Sequence, residues 1–179
     1  MVVKGLPPVV DRRSKVLVLG SFPGRVSLAK KQYYANPRNH FWLVLCRITG
    51  QPLTLNYEER VAGLLASGVA LWDVLASCER AGSKDTSIRN PVPNDFARLF
   101  EQYPGIRMVA FNGAKAYELW RRLAKHQIPF GVHEVVLPST SPVLAKPLGE
   151  KIAEWEVIRE YLREAKQAGE GSGQRGPLH

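Results

Sequence analysis

Hydrophobic positions along this chain follow two rhythms: short unbroken apolar runs, and longer stretches that repeat every three or four residues. Lys15-Val16-Leu17-Val18-Leu19 is a run of the first kind, β-branched and apolar residues after an opening lysine, as a strand buried on both faces requires. Comparable runs recur at Val69–Val74, Ile106–Phe111 and His133–Leu137. Helical spacing fills the intervals. Residues 40–48 place Phe41, Trp42, Leu45 and Ile48 on one face. Asn56, with Glu59 three positions later, forms a capping-box signal for a helix whose stripe is Tyr57, Val61, Leu64 and Leu65 and which Gly68 stops. Asn94 is placed to cap a helix turning Phe96, Leu99, Phe100 and Tyr103 inward, and Tyr117, Trp120 and Leu123 mark another. Ile152, Trp155, Ile158, Leu162 and Ala165 stripe a last helix over about residues 149–168. Strands alternating with helices predict one α/β domain over residues 1–168, its mainly parallel four-stranded sheet covered on both sides. Residues 169–179 are Gly, Ser, Gln, Arg and Pro with little to bury, so a disordered tail is expected.

The unusual segments all fall where the strands end, the edge at which open α/β sheets bind ligands. They are Gly20-Ser21-Phe22-Pro23-Gly24, Asp73 onward, Asn112-Gly113 and Ser139-Thr140-Ser141-Pro142. Tyr33 to Trp42 adds aromatics, asparagines and an arginine at a density that suits a pocket for a flat, polar heterocycle. Residues 77–92 lack apolar periodicity but carry Arg80, Lys84, Asp85, Arg89 and Asn90, and are expected to form a long functional loop.

Composition narrows the classes. A chain of 179 residues, 45% hydrophobic, supports one full core. No apolar run reaches membrane-spanning length, and the first fifteen residues mix prolines with charges instead of forming a signal peptide. Cys46 and Cys78 form no close-spaced pair, which points to reduced thiols in a cytoplasmic protein. His40, His126 and His133 lack ligand spacing, so no metal is expected. The formal net charge of +9 favours polyanionic partners, nucleic acid first.

Five motifs in fixed order carry a resemblance: GSFPG (Gly20 to Gly24), YYANPRNHFW (Tyr33 to Trp42), LWDVLASCERAGSKD (Leu71 to Asp85), FNG (Phe111 to Gly113) and LPSTSP (Leu137 to Pro142). Together they resemble the uracil-DNA glycosylase superfamily, closest to its hypoxanthine-DNA (deoxyinosine) glycosylase branch, from Gly20 to about Trp155. The resemblance implies a three-layer α/β/α sandwich. It also implies a hydrolase that flips a deaminated base, hypoxanthine or uracil, out of DNA and cleaves its N-glycosidic bond without metal or cofactor. The superfamily usually carries Asp or Asn in the first motif; Phe22 stands in that slot here, and the branch's catalytic asparagine maps to Asn39. The aromatic that stacks on the flipped base maps to Tyr34. Ser139 takes the slot of a late-motif histidine and Val143 that of a wedge leucine.

Such chemistry passes through an oxocarbenium-like sugar while the departing base gains negative charge. Asn39 can then hold a water through its amide oxygen, and preorganised donors can stabilise the base. Backbone groups at Gly20, Ser21 and Phe22, with the Asn112 amide, are the expected base contacts. Tyr34 offers a stacking face worth roughly 1–3 kcal/mol. Ser139, Thr140 and Ser141 are expected to donate to phosphates, with Pro142 and Val143, or Leu144, entering the hole the base leaves. Arg80 and Lys84 complete the expected DNA contacts.

Plainer roles stand beside each of these. Asn39 can cap the following helix, Tyr34 can be core, and Asp73 can cap a turn or hold a second water. Arg80, Lys84 and Arg89 can form a solvated loop. Asn112-Gly113 is an ordinary turn signal, and Ser139 to Ser141 can be a capping cluster. Two other function classes compete: a damaged-DNA-binding module without turnover, suggested by Phe22 and Ser139, and a small-molecule hydrolase with Gly20–Gly24 as a phosphate cradle. That turn lacks the lysine-serine ending of a nucleotide-binding loop. A monomer acting on DNA that contains deaminated bases is the expected working form.

Overall fold

A computed structural model describes residues 1–54, 56–81 and 87–172. Four parallel strands form its central sheet in the order β3-β2-β6-β7: β2 (Val16–Gly20), β3 (Val69–Asp73), β6 (Met108–Asn112) and β7 (His133–Leu137). They pair in register, with Leu19 opposite both Trp72 and Phe111, and all five residues of β2 are buried. The period of two along each strand divides the core. Leu17, Leu19, Val109 and Phe111 face α4 (Phe96–Gln102) and α5 (Ala114–Leu123), packing on Phe96, Leu119 and Trp120. Val16, Val18 and Ala110 face α2 (Phe41–Thr49), α3 (Tyr57–Ala66) and α6 (Leu148–Ser172), packing on Phe41, Leu45, Trp155 and Ile158. The result is the expected α/β/α sandwich.

Several local features depart from expectation. Residues 77–92 do not form one long loop. β4 (Leu75–Arg80) and β5 (Ile88–Pro93) pair antiparallel, and β1 (Val2–Lys4) adds to β4, making a second, three-stranded sheet. Register shifts between Leu75 and Glu79 break the alternation, which is why no strand rhythm shows there. Lys84, an expected DNA contact, lies outside the described residues. A short helix, α1 (Arg25–Lys30), follows the Gly20–Gly24 turn. Asn56 caps α3 as its spacing predicts, accepting from the Glu59 amide at 3.2 Å. At α4 the cap is Asp95, accepting from Arg98 N at 3.1 Å. Asn94 instead donates through Nδ2 to Asp73 O at 2.8 Å, clamping the end of β3. The last helix runs to Ser172, beyond the point where its apolar stripe ends. Among the described residues, no helix is long and apolar enough to cross a membrane.

Strand β2 lies between β3 and β6, so successive connections leave it on opposite sides and a crevice opens at its C-terminal end, at Gly20.

Candidate active site

Gly20 closes β2 at a point with no room for a side chain. A Cβ there would sit 2.6 Å from Asp73 Oδ1 and 3.1 Å from Tyr34 Oη. The following turn is held from below: Val74 N donates to Gly20 O at 2.8 Å and Leu75 N to Ser21 O at 3.2 Å. The Phe22 ring is buried in the core beside α4 and α5, leaving the backbone as the part of this residue that can serve the crevice. Arg80 departs from its expected role. Its Nη2 donates to Pro23 O at 2.6 Å and its guanidinium lies 4.9 Å over the Phe22 ring, so it fastens the Gly20–Gly24 turn instead of reaching for phosphate.

Tyr34 is fixed by its neighbours. Tyr33 N donates to Tyr57 Oη at 3.0 Å, Tyr33 O accepts from Trp42 Nε1 at 3.0 Å, and Ala35 N donates to Ser27 Oγ at 3.1 Å. With both flanks tied, Tyr34 takes a left-handed backbone (φ 52°) that a bulky residue rarely adopts. Its ring stacks on Phe41, centroids 3.9 Å apart and planes 21° from parallel. The hydroxyl is buried beside Gly20 and completes no hydrogen bond of ordinary geometry, although the Asn112 amide is close enough to ease its ionisation. Burial, and then the Asp73 charge, push the Tyr34 phenol above its ordinary range.

Burial acts the same way on Tyr33, followed by Asp73; its Oη donates to Pro7 O at 2.7 Å. An unfolded tyrosine ionises near pH 10, whereas these two stay protonated in the fold. Their stabilisation is therefore complete below pH 10 and is lost above it, at about 1.4 kcal/mol per pH unit for each phenol. Denaturant titrations at about pH 9 and pH 11 should show a steeper fall for the wild type than for Tyr33→Phe. Equal falls would mean that the Tyr33 phenol is not so shifted.

Asn39, Asn112 and Thr140 meet between the ends of β6 and β7, and their hydrogen bonds can run in only one direction. Thr140 N donates to Asn112 Oδ1 at 2.9 Å, so the nitrogen of that amide faces Thr140 Oγ1, to which it donates at 2.9 Å. The Thr140 hydroxyl hydrogen is then left for Asn39 Oδ1, at 2.8 Å. Asn39 Oδ1 also accepts the Phe41 amide at 2.9 Å, a turn of two residues that leads into α2, whose N-cap position is taken by His40 and not by Asn39 as expected. Both lone pairs of that oxygen are filled, contrary to the expectation that it holds a water. The free face of Asn39 is Nδ2, a donor. Thr140, expected at phosphate, is fully buried, and its hydroxyl is spent inside this chain of bonds.

The flanking serines differ. Ser139 Oγ accepts Ser141 N at 3.1 Å and Ser141 Oγ accepts Val143 N at 3.3 Å, arrangements that bend the loop and leave each hydroxyl a hydrogen to donate outward. Ser139 also packs where a Cβ on Gly113 would lie, 3.1 Å away, and Gly113 has φ 98°, so both space and backbone demand glycine. Beyond exposed Pro142, Val143 is 90% exposed. One residue of this region escaped the sequence reasoning. Lys151 is fully buried in the first turn of α6, and its Nζ donates to Ser141 O at 3.2 Å, supporting the loop from beneath. Desolvation lowers its pKa. The signal was present: Lys151 falls four residues before Trp155 and seven before Ile158, on the buried face of its helix. Among the described residues, no group of three or more His, Cys, Asp or Glu could hold a metal ion.

The uracil DNA glycosylase superfamily profile matches residues 7–163. A hypoxanthine DNA glycosylase of Methanosarcina barkeri is 41% identical over 116 residues, 64% of this chain and 73% of that protein. One of Methanosarcina acetivorans is 36% identical over 159 residues, 88% of this chain and 98% of that protein. A solution NMR structure of a Methanosarcina acetivorans protein, described as a candidate uracil DNA glycosylase, is 35% identical. It superimposes with a TM-score of 0.75 over 91% of this chain and 99% of its own. Match, identity and fold agree: this chain belongs to the uracil DNA glycosylase superfamily.

Proposed function

We propose that this protein is a DNA glycosylase that flips a deaminated base, hypoxanthine or uracil, out of DNA and hydrolyses its N-glycosidic bond. The observation that carries the proposal is the one-way chain Asn112 to Thr140 to Asn39, which fixes a neutral amide beside the ends of β6 and β7 and leaves its Nδ2 as the free donor. Two relatives of similar sequence bear the name hypoxanthine DNA glycosylase, which supports the substrate class. In this scheme Asn39 Nδ2 donates to a water below the sugar. The C–N bond breaks first and the base leaves as an anion; the water then adds to the cationic sugar carbon and its proton passes to that anion, so an amide too weak to act as a base suffices. Tyr34 forms a wall against the extruded base, with backbone groups of Gly20, Ser21 and Phe22 and the remaining Asn112 N–H as donors. Ser139 and Ser141 hold phosphates, and Pro142 and Val143 enter the vacated stack. No lyase step is assigned, because an amide cannot form the Schiff base that strand cleavage needs. The protein acts as a cytoplasmic, single-domain monomer.

The test is a panel of labelled duplexes containing inosine, uracil or xanthine, followed by alkaline cleavage of abasic sites. Strand breaks at inosine or uracil are the expected result. Tight binding to all three without any base release would leave a damage-binding module in its place.

A further inference from the structure

A cleft of about 420 Å³ is lined by the Tyr33–His40 segment together with residues of α1, α2 and α3, and by no residue of the Gly20–Gly24 turn. Asn39 and Tyr34 are among its lining residues. Lys30, His40 and Arg60 contribute cationic or proton-bearing groups, and Trp42 and Tyr57 supply aromatic walls. Arg60 lies 5.3 Å over the Trp42 ring, and among the described residues neither it nor Lys30 makes an ion pair. No carboxylate lines the cleft; Glu58 and Glu59, on the same turn as Arg60, are exposed. Two buried polar atoms of the lining, Arg60 Nε and His40 Nδ1, have no hydrogen-bond partner. A half-buried guanidinium that rests on an aromatic face without a counter-ion, beside a second orphaned nitrogen, is poised for an anion from outside.

We propose that this cleft takes a phosphate group, that of the DNA strand beside the extruded nucleotide, with Arg60 and Lys30 as its ligands. The proposal rests on the glycosylase activity above for the identity of the strand, though not for the chemistry of the cleft. Arg60 offers a planar fork to phosphate oxygens, Lys30 a point charge at the rim, and Asn39 in the same lining sets the phosphate next to the sugar that it serves.

Binding of an inosine-containing duplex, followed by fluorescence anisotropy between about 50 and 200 mM salt, tests it, since each phosphate neutralised adds about 0.9 to the slope of log affinity against log salt. Arg60→Gln should lower that slope by up to about 0.9 and weaken binding roughly tenfold at the low-salt end, Lys30→Gln should lower it by less, and the two together by no more than about 0.9, since they share one phosphate. Arg60→Lys, which keeps the charge, should restore the slope, and a merely structural role for Arg60 would not show that rescue. Arg12→Gln makes the same charge change just before β2, at the opposite end of the sheet, and should leave the slope unaltered. Equal losses from Arg12→Gln and Arg60→Gln would reduce the effect to general charge and overturn the site. An unchanged slope in Arg60→Gln would overturn it as well. If free inorganic phosphate competes at millimolar levels and Arg60→Gln abolishes that competition without changing the duplex slope, the ligand is free phosphate, and the assignment to the strand is lost. A wild type that releases no base but shows the slope changes would retire the glycosylase proposal and leave the cleft standing.

Discussion

Asn39→Ala is expected to lower base release on the order of 10²–10³-fold at saturating DNA, while duplex binding changes only a few-fold. The asymmetry follows from the bonds Asn39 makes. Its oxygen is fixed by Phe41 N and Thr140 Oγ1, so Nδ2 is held in place before any substrate arrives. A donor fixed in advance acts on the transition state without reorganising, which affects turnover far more than ground-state affinity. Alanine removes that donor and also leaves the Phe41 amide and the Thr140 hydroxyl without their acceptor, costing about 1 kcal/mol or more of stability. Asn39→Asp separates the two effects. A carboxylate can still accept both bonds, but it presents an acceptor where Nδ2 donated. Asn39→Asp should therefore fold with wild-type stability and release base as poorly as alanine. Single-turnover rates and denaturant midpoints on the three proteins decide the matter. Wild-type turnover by Asn39→Asp would show that the crevice uses an acceptor, and wild-type turnover by Asn39→Ala would remove the residue from the chemistry.

Much of this arrangement was legible in the chain. Three of the four central strands, β2, β3 and β6, read directly because each is buried on both faces, which forces a nearly unbroken apolar run. The crevice read through its breakers, because glycine and asparagine at strand ends mark where backbone must turn or come close. Gly20 proves to lack room for a Cβ, and Gly113 takes a φ of 98° with Ser139 close against it. The small antiparallel sheet was not legible. Its strands are half exposed and bulged, and β5 contains Pro91 and Pro93, so neither alternation nor propensity marks them. Arg80 and Thr140 were misplaced for a shared reason. Residue type suggests a partner, but only the fold says whether that partner is DNA or the protein itself. Arg80 found a carbonyl and an aromatic ring, and Thr140 found two amides. The polarity of Asn39 was hidden likewise, because which end of an amide is free depends on a residue 101 positions away.

Thr140→Val is expected to slow base release about 100-fold and to reduce stability by about 2–4 kcal/mol. Valine nearly reproduces the shape of threonine in this fully buried position, so packing survives and the loss is electrostatic. The Thr140 hydroxyl accepts from Asn112 Nδ2 and donates to Asn39 Oδ1. Without it, one N–H of Asn112 and one lone pair of Asn39 lose their partners, each at about 1–3 kcal/mol if no water replaces it. Asn39 would keep only the Phe41 amide, a single bond about which its side chain can rock, and small displacements of a positioning group are enough to slow chemistry steeply. Thr140→Ser supplies the discriminating control: it restores the hydroxyl, drops one methyl at about 1 kcal/mol, and should recover turnover to within a few-fold. If Thr140→Val loses stability as expected yet releases base at the wild-type rate, the chain from Asn112 to Asn39 braces the fold without aiming the amide. Turnover that follows the hydroxyl through valine and serine would tie the orientation of Asn39 to the rate.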